Sequence, residues 1–161
     1  MHEVAQDVTA RAGGRAMRAD TLHLTLAFLG DIAADRVPAA LAAGDAVATA
    51  WRKGRAAAVA PLLDRLGYWP HNGVVWAGCG TRDAALDRLA AALCETLAAA
   101  GFALESRRFA PHVTLVRKAG EAGNFPALAA QRWQGRELVL VHSRRSAAGA
   151  DYERLAAWPL E

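Results

Sequence analysis

Apolar and polar positions alternate along LHLTLAFLG, residues 22–30, as in a strand with one buried face. Leu22, Leu24, Leu26 and Phe28 fall on the face expected in the core, and His23, Thr25, Ala27 and Leu29 on the other. Elsewhere the period is helical. HEVAQDVTARAGG reads as a helix stopped by Gly13 and Gly14, and Val37, Leu41 and Val47 mark a second helix over 35–51. TRDAALDRLAAALCETLAAAG is the clearest helix, capped by Thr81 or Asp83, striped by Leu86, Leu89, Leu93 and Leu97, and ended by Gly101. Strands are predicted in AAAVAPLLDRLGYW and GVVWAGCG, joined by a turn at 70–73, and in RRFAPHVTLVRK, entered through Pro111. A loop and short helix over 125–132 lead to two closing strands, RELVLVHSRR and DYERLAAWPL. The pattern is that of one mixed α/β domain over 1–161, with no dinucleotide fingerprint or P-loop.

One word occurs twice. HLTL at 23–26 returns as HVTL at 112–115, each in a predicted strand followed by a helical segment. The arrangement suggests two β-rich lobes related by a pseudo-twofold, each carrying one His-x-Thr strand. Positions i and i+2 of a strand point the same way, about 6–7 Å apart, so each word offers an imidazole and a hydroxyl to one surface. If the lobes face each other, His23 and Thr25 oppose His112 and Thr114 across a cleft suited to in-line attack on a phosphodiester. One imidazole takes a proton from the nucleophile and the other gives one to the leaving oxygen, which histidine as a residue type can do at neutral pH. The hydroxyls can donate to non-bridging oxygens as charge develops at phosphorus. This chemistry needs no metal or cofactor. Arg117, with Lys118 beside it, adds a cation, although strict alternation puts Arg117 on the face opposite His112.

Each residue also has an ordinary structural reading. A lone strand histidine commonly serves as a hydrogen-bonded structural group, and threonine is a good strand former; repetition of the whole word sets a paired site beside that reading. His2 near a terminus, His71 in a turn and His142 in a strand keep the structural reading. A metal site built from His23, His112 and His142 lacks a carboxylate or cysteine at ligand-like spacing. Trp76 and Phe28 are expected in the core, with base stacking as the alternative.

Composition changes this picture little. The 53% hydrophobic and 22% charged fractions suit a soluble domain, and no apolar run approaches the length of a membrane span. Of 19 basic residues only Lys53 and Lys118 are lysines, and arginine is the better fork for phosphate oxygens. Cys79 and Cys94 show no C-x-x-C spacing and no leader pattern precedes them, so reduced, packed thiols in a cytoplasmic protein are expected.

LHLTLAFLG, VVWAG, FAPHVTLVRK and YERLAAWPL together resemble, in order and spacing from about Arg18 onward, the RNA 2',3'-cyclic phosphodiesterases, also called 2'-5' RNA ligases, of the 2H phosphoesterase superfamily. That resemblance implies a bilobal α/β fold with two antiparallel sheets lining a groove and helices outside. It implies opening of 2',3'-cyclic phosphate ends of RNA or nucleotides to a 2'-phosphate, with reversible 2'-5' joining in some members. It implies His23 as proton donor to the leaving 3' oxygen and His112 as the base that activates water. Thr25 and Thr114 would hold phosphate oxygens, and Arg117 would bind the phosphate. It further implies a strand and the first part of a helix ahead of HEVAQDVTARA, so one sheet is expected to be a strand short, with an edge open to pairing. Another cyclic phosphate on a nucleotide or sugar, or RNA binding without turnover, are the alternatives. The favoured state is a monomer.

Overall fold

The computed structural model describes residues 1–105, 108–120, 125, 127–146 and 149–161. Among these residues the α-helices are α1 His2–Ala12, α2 Val37–Lys53 and α3 Ala84–Ala99. The strands are β1 Arg15–Ala16, β2 Leu62–Leu63, β3 Arg65–Trp69, β4 Val74–Gly78, β5 His112–Arg117, β6 Gln131–Arg132, β7 Glu137–Ser146 and β8 Gly149–Pro159. All paired strands are antiparallel, in a four-stranded sheet of order β1-β5-β4-β3 and two-stranded pairs β2-β6 and β7-β8. The mixed α/β class with antiparallel sheets agrees with expectation. The short helix expected over 125–132 does not form among the described residues there; Gln131 and Arg132 instead pair with Leu63 and Leu62.

Two compact units divide the chain. The first holds Met1–Thr25, Pro61–Arg82 and Ala110–Trp133, and therefore α1 and the four-stranded sheet. Helix α1 stops where Gly13 turns to φ 66° and its N–H meets the Thr9 carbonyl. Its Ala5 and Val8 are fully buried with Leu63, Val75, Ala77, Val113, Leu115 and Val116. Each large aliphatic side chain so buried contributes roughly 1.5–3 kcal/mol. This apolar packing occupies one face of the sheet.

The second unit holds Leu26–Ala60, Asp83–Phe109 and Gln134–Glu161. Asp83 caps α3 by accepting the Leu86 N–H at 2.8 Å, and the predicted stripe Leu86, Leu89, Leu93 and Leu97 is buried. At the other end of α3, Arg36 donates to the Ala100 carbonyl at 2.6 Å and lies over the Phe102 ring. Helix α2 buries Ala40, Ala43, Gly44, Val47, Ala48 and Trp51, and Gly44 admits the Trp158 ring of β8. Cys94 is partly buried on α3; burial first, and the neighbouring Glu95 carboxylate second, push its thiol above the ordinary range. Among the described residues no helix is long and apolar enough to cross a membrane.

Two outcomes follow from this packing. Gly44→Ala would set a methyl group 2.5 Å from the Trp158 ring. Overpacking of about 1–3 kcal/mol then exceeds the helix-propensity gain of about 1 kcal/mol, and melting should fall by roughly 2–4 °C per net kcal/mol. An unchanged or higher melting temperature would contradict it. In native protein at pH 8, Cys94 should alkylate more slowly than a free peptide thiol, because less of it is thiolate; mass spectrometry showing peptide-like labelling would refute this.

Candidate active site

β5 carries the second His-x-Thr word and is paired on both flanks. Towards β4, His112 faces Gly78, Val113 faces Ala77, Thr114 faces Trp76 and Val116 faces Val75. Towards β1, Val116 faces Ala16 and Arg117 faces Arg15. On the β4 side one residue, Leu115, is extra. Burial follows the same break: Val113, Leu115 and Val116 are all fully buried, whereas Thr114 and Arg117 are not. A bulge of this kind resets alternation beyond it. Arg117 therefore lies on the face of His112 and Thr114, not on the opposite face that strict alternation predicts.

The first word is not a strand. Among the described residues, the sheet contact of 22–30 is an antiparallel bridge between Leu24 and Val113. Leu22 and Leu24 pack on the core cluster, as predicted. Phe28 does not: it is 61% exposed, because beyond Leu24 no ladder continues to impose alternation. Leu24 shares the core face with Val113, so His23 and Thr25 turn to the other face. In the antiparallel sense of that bridge, His23 and Thr25, which flank Leu24, come alongside Thr114 and His112, which flank Val113.

Residues 23–25 and 112–114 both fall within the first compact unit. The reason is that β1 covers only the far end of β5, and residues 22–25 return along the same flank. His142 belongs to the second unit, exposed on β7, with Nδ1 3.8 Å from the Glu153 carboxylate. Among the described residues no group of three or more histidine, cysteine or acidic side chains is arranged to hold a metal.

The two imidazoles are held by the same local device. His23 Nδ1 lies 2.8 Å from the Thr21 carbonyl, and His112 Nδ1 lies 2.7 Å from the Ala110 carbonyl, each two residues upstream. A carbonyl only accepts, so Nδ1 carries the proton in both rings and the lone pair of the neutral form is at Nε2. Thr21 is itself fixed: its hydroxyl donates to the Arg18 carbonyl at 2.9 Å, and it is 7% exposed. His112 also meets the Trp69 ring edge-on, centroids 4.6 Å apart. Trp69 in turn packs on Trp76, centroids 5.5 Å apart.

Trp76 lies flat across its neighbours on β3 and β4, and a side chain at Gly67 or Gly78 would collide with its ring. It is partly buried, between the core position and the exposed platform that the sequence left open. Sequence reasoning missed Trp69 as the neighbour of His112. Gly67 inside RLGYW signals only the close approach of Trp76, since a glycine within a strand marks close approach of another group, and no sequence signal marks Trp69.

Against known proteins, the 2'-5' RNA ligase superfamily matches residues 2–147. The RNA 2',3'-cyclic phosphodiesterase of Escherichia coli (strain K12) is 39% identical over 114 residues, covering 70% of this chain and 60% of that protein. The protein of the same name from Geobacillus stearothermophilus is 33% identical over 149 residues, covering 86% of this chain and 45% of that one. The chain thus matches about half the length of these curated relatives. The crystal structure of Escherichia coli LigT complexed with 3'-AMP superposes with a TM-score of 0.77 at 30% identity, covering 99% of this chain and 92% of that one.

In 15N-labelled protein at a pH where both rings are neutral, His23 and His112 should give the Nδ1–H tautomer in long-range 1H–15N spectra. The Nε2–H pattern at either ring would show that its carbonyl contact is not a hydrogen bond.

Proposed function

The chain belongs to the 2'-5' RNA ligase superfamily, and from that premise we propose that it opens 2',3'-cyclic phosphate ends of RNA or nucleotides. What supports this reading is the antiparallel Leu24–Val113 bridge, which brings the residues flanking Leu24, His23 and Thr25, alongside the second His-x-Thr word.

A neutral imidazole with its lone pair at Nε2 accepts a proton from water, and a protonated one donates from Nε2. Following the roles implied by the resemblance, His112 takes the proton as water attacks phosphorus. The bond from phosphorus to the 3' oxygen breaks, and His23 protonates that oxygen. The product is a 2'-phosphate beside a free 3'-hydroxyl. The hydroxyls of Thr25 and Thr114 donate to the non-bridging oxygens, and the Arg117 guanidinium balances their charge. With a 5'-hydroxyl terminus in place of water as the nucleophile, the same forward steps join 2' to 5' and free the 3'-hydroxyl; run backwards, they cleave that link.

All these groups come from one chain, so the acting unit in this proposal is a monomer. Its compartment is the cytoplasm, a reading that the thiol of Cys94, outside any disulfide, supports.

Replacing His23 or His112 with alanine should lower turnover of a 2',3'-cyclic nucleotide roughly 10²–10⁴-fold, the usual worth of a general acid or base. The pH–rate profile of the intact protein should be bell-shaped and indifferent to EDTA. Chromatography should identify the product as a 2'-phosphate. Near-normal hydrolysis by both alanine variants would sink the assignment, and RNA binding without turnover would point to a binding module instead.

A further inference from the structure

Trp69 and His112 stand in different rows of the sheet. Across β4, Trp69 faces Val74 and His112 faces Gly78, positions about 13 Å apart along that strand. Their rings nevertheless meet, with centroids 4.6 Å apart and planes crossing at 75°. Only a long side chain laid back along the sheet can close such a gap, and its course is prepared. Gly67 faces Trp76 directly across β3 and β4, and a side-chain carbon at Gly78 would come 2.6 Å from the Trp76 ring. With both positions bare, Trp76 lies flat and forms a shelf. The Trp69 indole packs on that shelf, centroids 5.5 Å apart and planes inclined at 40°, and so reaches the half-buried His112 imidazole.

What this contact adds is distinct from the backbone clasp. The bond from His112 Nδ1 to the Ala110 carbonyl, 2.7 Å, decides which nitrogen carries the proton. One hydrogen bond tolerates a range of angles, so the ring can still tilt about it and carry Nε2 from side to side. The β4 neighbour of His112 offers no side chain of its own to stop this tilt, because it is Gly78. An indole packed across one side of the imidazole does.

We propose that Trp69 is a positioning residue, limiting the tilt of His112 so that Nε2 stays where the attacking water gives up its proton. The inference rests on the hydrolytic reading for its effect on turnover, but not for the order of the ring.

Two variants and two measurements test it. Trp69→Leu keeps apolar bulk on Trp76 but cannot reach His112, and Trp69→Phe keeps a shorter ring. In 13C-labelled protein without substrate, the order parameter of the His112 Cε1–H bond should fall below about 0.6 in Trp69→Leu, with Trp69→Phe between that variant and the wild type. The Nδ1–H tautomer should persist, since the carbonyl clasp is untouched. In hydrolysis of a 2',3'-cyclic nucleotide, kcat should fall roughly 10–100-fold in Trp69→Leu with KM changed by less than about twofold, and Trp69→Phe should recover part of the loss. A side chain that only filled space would lower the melting temperature and leave kcat of the folded protein unaltered. Should Trp69→Leu not fold, Trp69→Phe carries the same comparison at smaller amplitude. An unchanged order parameter, or one that falls while kcat stays intact, would overturn the inference. A His112 ring ordered by Trp69 in a wild-type protein that turns over no cyclic phosphate would overturn the hydrolytic reading alone.

Discussion

The register shift at Leu115 is the constraint on which the site depends. β5 must bury one face under α1 and leave His112 and Thr114 on the other, and a regular strand of six residues would divide its side chains evenly. With one extra residue opposite β4, Leu115 and Val116 both enter the core, and Arg117 turns back towards His112 and Thr114. The same residue that completes the apolar packing therefore delivers the cation. Filling the core and arming the opposite face are one geometric event, so disturbing either alters both.

Around this strand, the site face is organised by close approach. Glycines at 67 and 78 let Trp76 lie flat on the sheet, Trp69 leans on it, and the edge of Trp69 bounds the His112 ring. On the other flank, residues 15–24 run beside β5, meeting it at β1 and again at Leu24. One strand is thus walled by aromatic rings on one side and supplied with a second imidazole and hydroxyl on the other.

Much of this was legible in the chain. The repeated His-x-Thr-Leu word named the four polar residues, and the leucine stripe with its Asp83 cap gave α3 almost to the residue. What alternation misjudged has physical causes. LHLTLAFLG carries a strand's pattern, but only Leu24 finds a partner, so Phe28 is left exposed. The face of Arg117 was misassigned because a bulge is a property of two strands in register, which neither sequence states alone. QR at 131–132 pairs with Leu62 and Leu63, distant in sequence, and so reads locally as a helix end rather than a strand.

The clasp that holds each imidazole reaches back only two residues along its own backbone, and its acceptor is a main-chain carbonyl. No particular side chain has to be retained elsewhere for that bond to form. A short peptide word can therefore carry its own aiming mechanism when it is copied, and two copies need agree on nothing but the sheet they lean against. Such a part is portable: transplanted onto the outer strands of another antiparallel sheet, it would bring its tautomer with it, leaving the host to supply only the spacing.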